Sequence, residues 1–188
     1  MSSDQLQSNH DDALARYLDE LLNADGDADG TTEKEHEPGV LLPCGHVSPE
    51  DERYYVCDVG GVGAAIPATR VSAEPAFEGT LAGKDGETVR TLAFPSGSVL
   101  PVIDLAALVL PPSAPAIKPP LAERLGTLSV LDQGQWALAS AGESRLELLD
   151  LDKVVWRGEQ GSRPWLAGTL VDSRLVLLDL DALVAMLP

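Results

Sequence analysis

The 188-residue sequence predicts an all-β domain behind an acidic N-terminal arm, and three observations carry that reading. The charge is uneven: residues 1–52 hold fourteen acids and two bases, whereas residues 53–188 hold sixteen acids and eleven bases. From Arg53 onward, short apolar runs alternate with glycine and proline, the texture of strands and turns. A ten-residue block also recurs 75 positions further on, LPVIDLAALV (100–109) against LVLLDLDALV (175–184), with six identities. Such a repeat points to two related β units, each too small to be stable alone, around one shared core. The expected division is an arm and tether over residues 1–52 and a domain over 53–188, with subdomains at about 53–110 and 121–188.

Within the arm, Ser8 or Asn9 can cap a helix of about residues 10–23. Asp11 and Asp12 suit its first turn, and Leu14, Tyr17, Leu18, Leu21 and Leu22 form an apolar stripe at helical spacing. A helix of that length is marginal alone, so the stripe must dock, either on the protein's own body or on a partner. The stretch 24–52, acidic with glycine and proline, reads as a tether. The arm and body are thus expected to act as separate units, a chain starting near Pro49 keeping its full unfolding transition.

In the body, Tyr54–Val59 and Ala64–Pro67 read as a hairpin about a Gly60–Gly63 turn. Val71–Glu74, Val89–Ala93 and Val99–Ile103 follow as strands, with residues 82–88 as a turn and a short helix from Leu105. PPSAPAIKPP (111–120) is too proline-rich for a strand or helix interior and reads as a connector. Thr127–Leu131 and Gln135–Ala139 form a second hairpin. Leu146–Leu149, Ala167–Val171 and Leu175–Leu180 are further strands, and Asp181–Leu187 is a closing helical turn.

The composition excludes several functions. A net charge of −17 repels a phosphate backbone, so nucleic acid is not an expected partner. The N-terminal residues carry no basic and apolar leader, and no apolar run approaches the roughly 18 residues that cross a bilayer, so a cytoplasmic protein without membrane insertion is expected. All three histidines (His10, His36, His46) lie before residue 53, which leaves serines in the body without an imidazole base. Gly60, Gly61 and Gly63 precede a returning strand rather than the helix a phosphate cradle needs. Cys44, His46, Cys57 and His36 match no zinc-ligand spacing. Asp104 and Asp179 occupy equivalent strand exits, where helix capping explains them without acid–base chemistry. No catalytic residue, cofactor or metal is expected.

The most suggestive segment is VVWRGEQGSRPWLAG (154–168). It interleaves Trp156 and Trp165 with Arg157 and Arg163, the residue types most enriched at interface hot spots. The partner-binding candidates are Trp156, Arg157, Arg163, Pro164, Trp165 and Leu166, with Trp165 expected at the centre because Pro164 restricts its backbone.

The blocks YYVCDVGGVGAAIPATRV, SVLPVIDLAALV and SRLVLLDLDALVAML, in this order and spacing, resemble those of the CheW-like domain family over about residues 53–188. The resemblance implies two intertwined SH3-like β subdomains around a common core and a non-enzymatic adaptor. Such adaptors pair with the CheW-like regulatory domain of the CheA histidine kinase and with chemoreceptor tips. Here AFPSG (93–97) stands where a typical member has an Asn-Leu-Arg-Gly block whose arginine serves receptor coupling. The Trp/Arg segment and the YLDELL motif (17–22) look like the ParP branch, which enters polar chemosensory arrays through CheA and engages ParC, a ParA-like ATPase, through its N-terminal part. A CheW-type coupling protein is the second reading, and a ligand-binding or enzymatic module on the same scaffold a third.

Overall fold

In the computed structural model, residues 16–17, 19–21, 53–84, 86–157 and 163–187 are described. In chain order the strands are β1 (Arg53–Val59), β2 (Val62–Pro67), β3 (Val71–Ala73), β4 (Thr80–Ala82), β5 (Val89–Ala93) and β6 (Val99–Asp104) in the first half. The second half supplies β7 (Thr127–Leu131), β8 (Trp136–Ser140), β9 (Ser144–Leu148), β10 (Val155–Trp156), β11 (Leu166–Leu170) and β12 (Leu175–Leu178). Helix α1 (Leu105–Val109) follows β6, α2 (Leu121–Arg124) precedes β7, and α3 (Leu180–Val184) follows β12.

These strands form two six-stranded mixed sheets, ordered β10-β11-β12-β2-β1-β9 and β4-β5-β6-β8-β7-β3. The two orders become identical when the first half of the chain is exchanged for the second. The protein is therefore all-β with an internal two-fold repeat, but the sheets do not follow the sequence halves expected at about 53–110 and 121–188. Each hairpin leaves the rest of its own half and joins the other sheet, where β2 pairs in parallel with β12 and β8 pairs in parallel with β6.

Residue alternation explains the exchange. In β1, Tyr54 and Val56 face a core built from the first sheet, whereas Cys57 and Val59 face a cluster that both sheets share. In β12, Leu175 and Leu177 point to the first of these and Val176 and Leu178 to the second. The second sheet repeats the pattern, with Ala137 and Ala139 of β8 in its own core and Trp136 and Leu138 in the shared one. A strand with both faces apolar must be covered on both sides, and the shared cluster covers the second face. The β1–β2 turn fits glycine at both central positions, with Gly60 and Gly61 at φ +63° and +96°. Gly63 serves close approach instead: a Cβ there would collide with a Leu175 methyl, obstructing the β2–β12 pairing.

Asp104 and Asp179 cap α1 and α3, accepting from Ala106 N at 3.1 Å and Ala182 N at 3.0 Å respectively. Asp104 also forms an ion pair with Arg124 of α2, and both side chains are buried. Three elements depart from the sequence reading. The edge strand β4 begins just before the expected turn, two-residue β10 forms inside the supposed loop, and α2 directly follows the proline connector. β4 and β10 are short edge strands whose ladders come from β5 and β11, so their own sequence carries little strand pattern.

Removing Arg124 would strand a buried carboxylate. Arg124→Ala is expected to cost about 3–5 kcal/mol, read as a lowered urea midpoint with an unchanged slope. A loss below about 1 kcal/mol would show that Asp104 does not depend on this partner.

Candidate functional site

The Trp/Arg segment is divided between the surface and the core. Trp156 lies on β10 at 44% exposure, opposite Gly168 of β11. A Cβ at Gly168 would come within 2.7 Å of a Val154 methyl and 3.1 Å of the Val155 carbonyl, so glycine lets β10 approach β11 closely. Trp156 lines a shallow groove with Tyr54, Pro67, Arg70, Leu177 and Asp181. Neighbouring Val155 is exposed as well, but strand alternation puts it on the opposite face, so the groove itself offers one exposed apolar ring beside a cation.

That cation is held in place. Arg70 follows β2 at the crossing between the sheets and donates to both oxygens of Asp132, Nε at 2.6 Å and Nη2 at 3.0 Å, and to Asp181 at 3.3 Å. Asp132 returns a backbone bond to the Arg70 carbonyl and accepts from Trp136 Nε1 at 2.7 Å. The Arg70 hydrogen bonds hold the Asp132 carboxyl below the usual carboxylate range, assisted by Trp136 and against a partial burial penalty. Asp132 and Gln133 adopt φ of +49° and +60° in the β7–β8 turn, which positions the carboxylate for this fork. The sequence reading missed Arg70, Asp132 and Asp181. The available signal was the one arginine at the end of the quoted hairpin block, IPATRV.

Trp165 requires a correction. Its ring is 7% exposed and belongs to the shared core, together with Leu166, Val176 and Leu178. Its carbonyl accepts from Asp179 N at 2.8 Å, which ties the start of β11 to the capping residue of α3. Pro164 and Arg163 do precede it as a turn, but the indole is directed into the protein because β11 is a central strand whose first residues must cover the shared core. Trp165 is therefore not the accessible ring that was expected, whereas Trp156 is exposed.

The apolar stripe of the arm also has an internal partner. Residues 16–17 and 19–21 are helical, Leu21 is fully buried in the shared core, and the Tyr17 ring packs against it. Tyr17 Oη donates to the Val109 carbonyl at 3.0 Å, Arg157 Nη2 donates to the Leu21 carbonyl at 2.7 Å, and the Arg163 guanidinium lies 5.3 Å from the centre of the Tyr17 ring. The docking expected to leave the arm independent of the body is thus made, at these residues, to the body itself. Leu14, Leu18 and Leu22 lie outside the described residues, as do Cys44 and the three histidines.

Burial pushes the Cys57 thiol up to about 11, so it stays protonated at neutral pH. Among the described residues there is no group of three or more His, Cys, Asp or Glu placed to hold a metal ion, and no helix long and apolar enough to cross a membrane. The arrangement offers a shallow groove in which an exposed indole lies near an arginine held by two carboxylates.

No family model matches the chain, and no curated protein matches it. Among solved structures, the scaffolding protein TtCheW from Thermoanaerobacter tengcongensis aligns over 78% of this chain and 91% of its own, with 13% sequence identity and a TM-score of 0.48.

Trp165→Ala should lower stability by about 3–5 kcal/mol through the cavity it leaves, whereas Trp156→Ala should change stability by less than about 1 kcal/mol. Urea melts of both variants check this, and equal losses would place both rings in the core.

The Arg70–Asp132 pair also sets a pH dependence. Because folding lowers the Asp132 pKa, its stabilisation is present above the unfolded value of about 3.9 and is lost as pH falls through the lower folded value. Asp132→Asn should therefore lose less stability than the wild type between pH 6 and pH 3. Parallel acid limbs for the two proteins would remove Asp132 from this role.

Proposed function

We propose that this chain is a non-enzymatic adaptor of bacterial chemotaxis signalling with a CheW-like domain, and that it binds the CheW-like regulatory domain of the CheA histidine kinase. One observation carries the reading. The three sequence blocks that resemble the family lie on β1–β2, on β6 with α1, and on β12 with α3. These elements include the parallel pairings that join the two halves. Intertwined β units around one core are what the resemblance implies, and the motifs coincide with the strands that build this arrangement.

Within the adaptor class, the ParP-type reading is favoured over a CheW-type receptor coupler. AFPSG (93–97) lacks the arginine that serves coupling to chemoreceptor tips, and the Trp/Arg segment with the acidic arm resembles the ParP branch. The protein would then act in the cytoplasm at polar chemosensory arrays, with the body bound to CheA and the arm engaging a ParC-type, ParA-like ATPase. The CheW-type coupling protein is the second reading. It predicts receptor binding, which the localiser does not require.

The kinase contact is assigned to the groove in which Trp156 lies beside Arg70, because an exposed tryptophan next to a fixed arginine has hot-spot character. Full-length protein should co-purify with the isolated regulatory domain of CheA. Trp156→Ala should weaken that binding by about thirtyfold, corresponding to about 2 kcal/mol. Binding unaffected by Trp156→Ala would place the contact elsewhere, and absence of any binding would remove the kinase as the partner.

A further inference from the structure

The arm segment is held in an unusual way for an element that merely completes a core. Two of the bonds that hold it involve its own backbone or the body's: Arg157 grips the Leu21 carbonyl, and Tyr17 reaches the Val109 carbonyl. The side chains that enter the body are Tyr17 and Leu21, four positions apart and hence on one helical face. Arg16, Asp19 and Glu20 are exposed. Both arginines of the Trp/Arg segment contact this helix, Arg163 through the Tyr17 ring. The body thus provides a cradle that recognises an aromatic hydroxyl, a leucine one turn later and that leucine's backbone carbonyl.

We propose that this cradle is an exchangeable docking site for a short amphipathic helix with the spacing Tyr-x-x-x-Leu, and that residues 16–21 of the arm are its resident occupant. The inference is independent of the chemotaxis reading. Three features favour exchange over permanent integration. Thirty-one residues of sequence, 22–52, separate Leu21 from the start of β1 at Arg53, enough chain for the segment to leave the cradle without disturbing that strand. A helix over the 10–23 stretch that the sequence allows is marginal in isolation, so it draws its stability from what it docks on. An occupant tethered in the same chain acts at an effective concentration on the order of millimolar, which keeps the cradle filled while allowing a tighter or multivalent competitor to displace it. Displacement would free the Tyr17 and Leu21 face for capture by another protein and open the cradle at the same moment, so the two binding events are coupled.

The test uses the full-length chain and a fluorescent synthetic peptide covering residues 8–24. Leu21→Asp should eject the arm's own segment, since a carboxylate cannot enter the shared core. The peptide should then bind this variant roughly a hundredfold more tightly than it binds the wild type, whose cradle is filled. Adding Arg157→Ala to the Leu21→Asp chain should weaken peptide binding about tenfold or more through loss of the charge-assisted bond. A peptide carrying Leu21→Asp should not bind. The milder variant Leu21→Ala should give an intermediate gain in peptide affinity. The proposal is overturned if Leu21→Asp stays folded and binds no peptide, or if Arg157→Ala leaves binding unchanged. It is equally overturned if Leu21→Asp abolishes the cooperative melt, because the segment would then be a fixed part of the core.

Discussion

The shared apolar cluster is the constraint on which the rest of the structure depends. It draws Val62, Ala64 and Ile66 from one hairpin and Trp136 and Leu138 from the other, and each hairpin belongs to a different sheet. Each sheet has its own smaller core, fed by alternate residues of the same strands. A half of the chain folding alone would leave one face of its central strands in water. At about 25 cal/mol per Å² of apolar surface, several such side chains outweigh the whole net stability of a small domain. Exchange of the hairpins resolves this, because the parallel pairings β2–β12 and β6–β8 place the apolar faces of both sheets against one another.

The same constraint sorts the tryptophans. Trp136 and Trp165 fill the shared cluster, and the remaining indole, Trp156, lies on an edge strand that the cluster does not reach. Edge strands carry unpaired backbone groups and are therefore the places where a second chain can be recognised. Arg70 stands at the chain crossing between the sheets and is fixed by Asp132 of the second sheet's turn and by Asp181 of α3. Its cost of immobilisation is met on folding, so a partner that meets it in the groove beside Trp156 need not order it. The geometry that holds the sheets together thus also prepares the surface assigned to binding.

Much of this was readable from residue order. The two hairpins and the repeated strand with its capping aspartate follow from local pattern, since glycine turns, strand alternation and Asp N-caps depend on near neighbours. The exchange of hairpins was not readable from composition or spacing, because the parallel pairing of Leu175–Leu177 with Gly63–Ala65 connects residues over a hundred positions apart. The fate of Trp165 depended on the same long-range fact. A tryptophan after Arg-Pro in a glycine-rich context has a loop-like local signature, and the need to cover β12 and α3 turns it inward. Arg70 was passed over because its importance comes from Asp132 and Asp181, which are distant in sequence. Tyr17 and Leu21 were recognised as one docking face, and their partner proved, for these residues, to be the chain's own body.

Residue-resolved amide exchange in increasing urea tests the shared core most directly. The account predicts that amides of β2 and β12 in one sheet and of β6 and β8 in the other open with the same free energy and the same denaturant dependence, because neither sheet can keep its faces covered without the other. If the amides of one sheet exchanged through an opening several kcal/mol cheaper while the other sheet stayed protected, the sheets would be independent units and the central claim would be wrong.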